Sequence, residues 1–308
     1  MNILAVCLGG TIASRTGSDG VMSLGEFKFN RSFFEKIMRG PEYRVITPAY
    51  YSSENATLND YRTALKGIYD EVASERPDAI LILHGTDSMA YFAQLAVRTL
   101  SILKIPVVIV GSKLPQDAAG SDAQSNLKMA LGILDAAVEG KTRNKTFGVV
   151  YNDSFTGMAS FVPAQQITSA DIKGDYKRYD NESIDYSAAA FARPAVDFLS
   201  RETSPEDNIL VIPAAPSFPL DAIGDKGYGS VLINCYHSGT ADSVTLPGFV
   251  SRAVSCGHKV FMAPIPKARK IGKKDALYES STVLLDAGVT ALADMPFEGA
   301  WAEVAIKG

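Results

Sequence analysis

Ile3-Leu4-Ala5-Val6-Cys7-Leu8 breaks at once into Gly9-Gly10-Thr11-Ile12-Ala13-Ser14. A short apolar run that stops at a glycine pair has the texture of a strand covered on both faces. The pattern returns at Ala79–Leu83, which ends in His84-Gly85-Thr86-Asp87-Ser88. Each run stops at a glycine and presents a threonine. Open α/β sheets carry their chemistry at the carboxyl ends of strands. Two threonines delivered there, one with an aspartate beside it, point to one polar site rather than two unrelated turns.

The rest of the chain fits that frame. Strands are expected at Ile3–Leu8, Arg44–Thr47, Ala79–Leu83, Val107–Val110 and Phe147–Tyr151. Between them run amphipathic stripes. Tyr61, Leu65, Ile68 and Val72 share one helical face; Met89, Phe92, Ala93, Ala96, Val97, Leu100 and Leu103 form a longer one. Leu127, Ala130, Leu131, Leu134 and Val138 make a third, with Ser125 or Asn126 as its cap. Alternating strands and helices predict an α/β fold with a doubly wound, largely parallel sheet. A polar run, Ser200 to Asn208, reads as a linker. Beyond it strands are expected at Ile209–Ile212, Val231–Tyr236 and Val260–Ile265, with helices over Pro247–Cys256, Ala276–Asp286 and Phe297–Ile306. The expected organisation is an N-terminal α/β domain over 1–195, a linker over 196–208 and a smaller α/β domain over 209–308. The stretch Ser14–Gly25 reads as a loop directly after Thr11, placed to close over a site.

Composition narrows the function. The 308 residues are 46% hydrophobic and 21% charged, as in ordinary globular proteins. A net charge of -4 gives no basic footprint for nucleic acid. No apolar stretch approaches the ~18–20 residues that span a bilayer. The N-terminal apolar run is short and lacks a basic flank, so it reads as a first strand rather than a signal peptide. Cys7, Cys235 and Cys256 lie far apart with no CxxC spacing, which supports neither zinc nor redox chemistry. Cys7 and Cys235, inside apolar runs, read as buried thiols, and a cytoplasmic location is expected. No histidine cluster has metal-ligand spacing, and no phosphate-cradling glycine motif is present.

Leu8-Gly9-Gly10-Thr11-Ile12-Ala13-Ser14 and His84-Gly85-Thr86-Asp87-Ser88-Met89, in this order and about 75 residues apart, resemble the two signature segments of the bacterial-type asparaginase/glutaminase family, closer to its cytoplasmic type. The likeness continues at Tyr51-Ser52-Ser53-Glu54-Asn55, at Val110-Gly111-Ser112-Lys113-Leu114-Pro115 and at Asp294-Met295-Pro296-Phe297-Glu298-Gly299-Ala300. It weakens from Val21 to Arg44 and from Ser154 to Arg201.

The resemblance implies roles. Thr11 would attack a side-chain amide and form an acyl-enzyme that water then hydrolyses. From the residues alone, Thr11 also reads as a turn or cap threonine; the flanking glycines give it a tight bend and backbone N–H groups that suit an oxyanion. Thr86 would orient water or assist proton transfer, and Asp87 would hold the substrate ammonium. Ser53 would bind the α-carboxylate. Glu54 departs from the family's usual Gln or Ser and adds a carboxylate near Asp87. Ser112 joins the expected substrate-binding groups. Tyr50 and Tyr51 read as aromatic packing, and His84 as a hydrogen-bonded support of its strand end.

Two departures stand out. The family carries a lysine some ten residues after an Asn-Asp such as Asn152-Asp153, yet Ser154–Thr168 contains none. A desolvated lysine serves as a base; Lys113 is the first candidate to replace it and His237 the second. The family's loop tyrosine is also missing between Ser14 and Phe29, where Met22 or Leu24 stands instead. The expected activity is therefore release of ammonia from L-asparagine or a related amide, with no cofactor, by a homodimer or homotetramer that uses neither nucleic acid nor membrane. The alternatives are a catalytically weak amino-acid-binding relative that senses or regulates, and an amidase subunit feeding a tRNA-linked transferase. The absent basic face argues against the latter.

Overall fold

The computed structural model describes residues 1–24, 42–140, 147–151, 154–157, 188–236, 238–265, 270–271, 274–275, 278–293 and 295–308. Two compact units divide the chain; among the described residues the first ends at Ser200 and the second begins at Arg201.

The first unit is built on β1 (Asn2–Cys7), a small hairpin of β2 (Arg15–Thr16) and β3 (Met22–Ser23), then β4 (Glu42–Ile46), β5 (Ala79–Leu83), β6 (Val107–Val110), β7 (Phe147–Tyr151) and β8 (Ser154–Gly157). The main sheet runs β4-β1-β5-β6-β7-β8. All neighbours are parallel except the β7–β8 pair. Both parities of β1 are buried: Ile3 and Cys7 on one face, Leu4 and Val6 on the other. That is why these strands read as unbroken apolar runs. One face packs on helix α3 (Ala123–Val138) through Ala123, Leu127, Ala130 and Leu134. The helices α1 (Leu58–Ser74), α2 (Met89–Leu100) and α4 (Ala188–Ser200) pack against one another.

Local chemistry fixes the helix starts that frame the site. Thr57 and Asp60 form a reciprocal capping box at α1, with Asp60 N–H donating to Thr57 Oγ1 at 3.2 Å and Thr57 N–H to Asp60 Oδ2 at 2.8 Å. Two orphan donors of the first turn are thereby satisfied. The start of α3 corrects the expected cap: the helix begins at Ala123, so Ser125 and Asn126 lie inside it. Asp122 occupies the cap position, but its carboxylate accepts from Lys113 N–H at 2.8 Å and from Asn126 Nδ2 at 3.0 Å. The cap residue is thus spent on tying two turns together.

The second unit carries β9 (Ile209–Pro213), β10 (Ser230–Asn234), β11 (Lys259–Ile265), the paired β12 (Lys270–Ile271) and β13 (Lys274–Asp275), and β14 (Thr290–Ala293). Its parallel sheet runs β14-β11-β10-β9. Helix α5 (Leu246–Ser255) buries Leu246, Phe249, Val250 and Ala253 in a core with Val231, Ile233 and Met262; α6 (Glu279–Asp286) adds Leu284. Helix α7 (Phe297–Lys307) completes the unit. The expected strand to Tyr236 stops at Asn234, because Tyr236 N–H turns back to Thr240 O at 2.9 Å. The stretch expected as linker holds the end of α4 and a 3-10 turn, Pro205–Asp207, capped by Ser204.

Candidate active site

The strand order of the first sheet reverses between β1 and β5. From β1 the chain crosses outward to β4, then returns past β1 to β5 and continues away. Such a reversal opens a crevice at the carboxyl ends of the two strands. Gly9-Gly10-Thr11 follows one of them and Gly85-Thr86-Asp87 the other.

Glycines let the turns touch. A Cβ on Gly10 would fall 2.1 Å from Gly85 Cα, and one on Gly85 would fall 2.4 Å from Ser53 Oγ. Gly10 also adopts φ +80°, which an L side chain rarely tolerates. Main chain therefore lies on main chain, bringing the threonine turns together with the Ser53–Asn55 turn. The turn after β6 joins them: a Cβ on Gly111 would lie 3.3 Å from Thr86 Cγ2.

Polar contacts lock the arrangement. Ser53 Oγ donates to Asp87 Oδ2 at 3.1 Å and lies 3.3 Å from Asp87 N, whose N–H it accepts. Ser88 Oγ donates to Ser53 O at 2.6 Å. Ser14 Oγ donates to Gly10 O at 3.0 Å, closing the first threonine turn. Thr11 and Thr86 are both half-buried, and neither hydroxyl hydrogen-bonds to another described residue. Ser53 is buried, whereas Glu54, Asp87 and Lys113 are exposed. The side chain of Ser112 is buried and donates to Leu114 O at 2.6 Å, so its hydroxyl hydrogen serves its own turn. The burial that a lysine base requires is not found around Lys113. His237, Asn152, Asp153, Asp294 and the segment 158–187 lie outside the described residues.

Beneath the crevice sits His84, fully buried. Its ring stacks on Phe92 with centroids 4.6 Å apart. Nδ1 lies 2.6 Å from Gly85 O and Nε2 3.2 Å from the Tyr51 hydroxyl. Burial pulls its pKa down to about 4, against the lesser pull upward of the Gly85 carbonyl. Burial likewise drives the Tyr51 phenol upward, so both groups stay neutral. Tyr50 does more than pack: its hydroxyl donates to Leu24 O at 3.0 Å, beside Gly9, and draws the end of the hairpin loop back to the site. Its pKa is pushed up to about 12, chiefly by burial.

Three contributors carry no mark in the sequence motifs. Asn126 Nδ2 donates to Gly111 O at 2.9 Å and thereby fixes the fourth turn. Asp122 joins that turn to α3. Tyr151, at the end of β7, lies within electrostatic reach of Asp122 and Asp87; burial first, then these carboxylates, raise its pKa. An Asp and an Asn four apart at a helix start were the available signal for the first two. Nothing in the sequence singles out Tyr151 beyond its place at a strand end.

The second unit has a cavity of about 530 Å³ at the carboxyl end of its own sheet. Ser217, Tyr236, Ser238, Thr240 and Tyr278 supply hydroxyls, and Asp242 a carboxylate. That carboxylate already accepts from Val244 N–H at 2.8 Å and from Thr245 N–H at 3.2 Å.

A parallel α/β unit with two threonines at a strand-order reversal and a serine–aspartate clamp defines a class, and comparison with known proteins supplies its family. The family model for the asparaginase N-terminal domain matches residues 2–170, more than half of the chain. The chain belongs to the asparaginase family. L-asparaginase 2 of Bacillus subtilis is 31% identical over 180 residues, 55% of this chain and 45% of that protein. One of the subunits of the glutamyl-tRNA(Gln) amidotransferase of Thermoplasma acidophilum is 31% identical over 133 residues, 42% of this chain and 31% of that protein. The matches thus span less than half the length of these two curated relatives. A probable cytoplasmic L-asparaginase from Campylobacter jejuni shares the fold: TM-score 0.71 at 19% identity, covering 99% of this chain and 94% of that one.

Proposed function

We propose that the protein is an amidohydrolase that releases ammonia from L-asparagine or a related amino-acid amide. One observation carries this reading: Gly10 and Gly85 bring Thr11 and Thr86 into one crevice beside the Ser53–Asp87 contact. Thr11 Oγ1 attacks the amide carbonyl carbon and loses its proton as the C–O bond forms. The C–N bond breaks, ammonia leaves with the proton it needs, and an ester remains on Thr11. Water then cleaves the ester, giving the carboxylic acid and free Thr11. Thr86 orients the water or relays the proton; Lys113, exposed in the free chain, accepts the proton only when substrate covers it. Ser53 binds the carboxylate end, joined by Ser112 when its hydroxyl turns away from Leu114 O. Asp87, with Glu54 adding negative charge, takes the ammonium. Backbone N–H groups of the glycine turn stabilise the oxyanion.

The proposed assembly is a homodimer or homotetramer in the cytoplasm. Three free cysteines fit a reducing compartment. Among the described residues no helix is long and apolar enough to cross a membrane.

The test is a panel of amides, asparagine and glutamine first, assayed for ammonia with wild type and Thr11→Ala. Release by wild type and loss in the variant support the reading; equal rates overturn it. The exposure of Lys113 favours a second reading, a weak amino-acid-binding relative. Saturable L-aspartate binding without ammonia release would select it. Ammonia release only on addition of a copurifying transferase subunit would select the role named for the Thermoplasma relative.

A further inference from the structure

Buried side chains lie beneath the crevice. Gly85 O can only accept a hydrogen bond, so His84 carries its proton on Nδ1 and donates at 2.6 Å. The neutral ring then presents a bare Nε2, and the Tyr51 hydroxyl donates to it at 3.2 Å. The ring has no freedom to leave this pose: Phe92 stacks on it, and Tyr51 and Tyr61 close its edges at 5.6 and 6.1 Å between centroids. Tyr61 reaches the other end of the same turn, its hydroxyl 3.4 Å from Ser88 O. Thr86 and Asp87 are the two residues between those tethered carbonyls. Tyr51 is also two residues from Ser53, the group that meets Asp87.

We propose that His84 and Tyr51 are positioning residues: a buried Tyr51–His84–Gly85 relay sets the Thr86-Asp87 turn against Ser53, with Tyr61 steadying the far end. The assignment rests on the proposed role of that turn in holding an amino acid. Its physical content, an immobilised turn, is separable from that role. Gly85 has no side chain to anchor it; its main chain packs against Gly10 and Ser53, and its carbonyl takes the hydrogen bond from His84. A ring that donates through one nitrogen and accepts through the other is suited to join strand end and turn without a charge.

The test uses the full chain and variants His84→Gln, His84→Leu, Tyr51→Phe and Tyr61→Phe. Glutamine keeps a donor and an acceptor; leucine keeps neither. Two readouts are taken: hydrogen exchange of the 84–90 peptide, and calorimetric binding of L-aspartate. Exchange at 84–90 is expected to rise about tenfold in His84→Leu, less in Tyr51→Phe and Tyr61→Phe, with His84→Gln closest to wild type. Aspartate affinity should fall in the same order, and in an active enzyme KM should rise more than kcat falls. If His84→Leu does not fold, the two tyrosine variants carry the test, since each keeps its ring. Unchanged exchange at 84–90 in the folded variants overturns the relay. Raised exchange with unchanged aspartate affinity overturns its role in the site. A wild type that neither binds aspartate nor releases ammonia defeats the proposed function instead, and the exchange arm still decides the relay.

Discussion

Two parallel sheets in this chain end in very different carboxyl edges. The second sheet runs β14-β11-β10-β9, each strand beside its sequence neighbour, with the pair β12 and β13 standing apart. Its edge opens a cavity lined by hydroxyls, and the Asp242 carboxylate there is occupied in bracing the start of α5. The first sheet reverses between β1 and β5, and at the reversal glycine main chains meet and two threonine hydroxyls stand without described partners. Fold class is common to both; strand order separates them. A reversal splays the connections to opposite sides and leaves a crevice for a ligand. Sequential order leaves no such split.

The strongest break in the comparison is at Thr11. Thr11→Val keeps the shape of the side chain and removes the hydroxyl. Ammonia release is expected to fall by at least ~10³-fold, as when a nucleophile is removed, with an unchanged unfolding midpoint. Turnover at the wild-type rate would move the chemistry away from the reversal.

Gly10 and Gly227 sharpen the point, because both have positive φ, +80° and +93°. An alanine at 227 meets nothing within 4 Å, whereas one at 10 meets Gly85 Cα at 2.1 Å. Gly227→Ala is expected to cost about 1–2 kcal/mol in backbone strain alone. Gly10→Ala should cost about 3 kcal/mol or more, since two main chains must separate. Equal losses in urea unfolding would mean the close approach has no energetic weight.

His84 makes the first unit acid-sensitive in a defined window. Its pKa falls from the ordinary 6.5 to about 4 in the folded state. Above pH 6.5 the ring is neutral folded or unfolded, and its stabilising contribution is complete. As pH falls toward 4 the unfolded chain binds the proton first, and stability is lost. At 1.36 kcal/mol per unit the span amounts to about 3 kcal/mol. His84→Gln should flatten the urea midpoint between pH 6.5 and 4; an unaltered slope would place the acid sensitivity elsewhere.

The legibility of the two edges differed in the same way. Continuous apolar runs named β5, β6 and β7 to the residue, because strands buried on both faces leave no polar alternation to confuse their ends. β14 went unseen: Thr290–Ala293 is short and half-exposed, with no pattern to set it apart. The threonine turns were legible because glycine marks close approach before any contact is known. Ser125 and Asn126 misled because capping chemistry is local, whereas Asp122 answers to a turn nine residues away. The relay under Thr86 was half visible: His84 read as a strand-end support, while Tyr51 read only as packing, since its partner is 33 residues distant.

At the clamp, Asp87→Asn should weaken L-aspartate binding about 10-fold, the low end for a charge-assisted contact, because this carboxylate is exposed. Binding of a simple amide without an ammonium should change less than twofold. Glu54 is exposed beside Ser53, and Glu54→Gln should shift either ligand by about twofold or less. Equal losses for both ligand types would remove Asp87 from the ammonium role.

A bounded effect on turnover is expected one strand beyond the reversal. Lys113 follows β6, and its backbone N–H, not its ammonium, is the group tied into the site, through Asp122. A base or acid in the transition state is typically worth ~10²–10⁴-fold, but that value belongs to a group shielded from water. Lys113 is exposed. Lys113→Met should therefore lower kcat at neutral pH by no more than about tenfold, with L-aspartate affinity unchanged. A loss approaching that of Thr11→Val would mean that the ammonium is covered during turnover, and that the working site extends past β5 to the β6 turn. No loss at all would confine the chemistry to the two strands where the order reverses, and would leave proton transfer to the Thr86 turn.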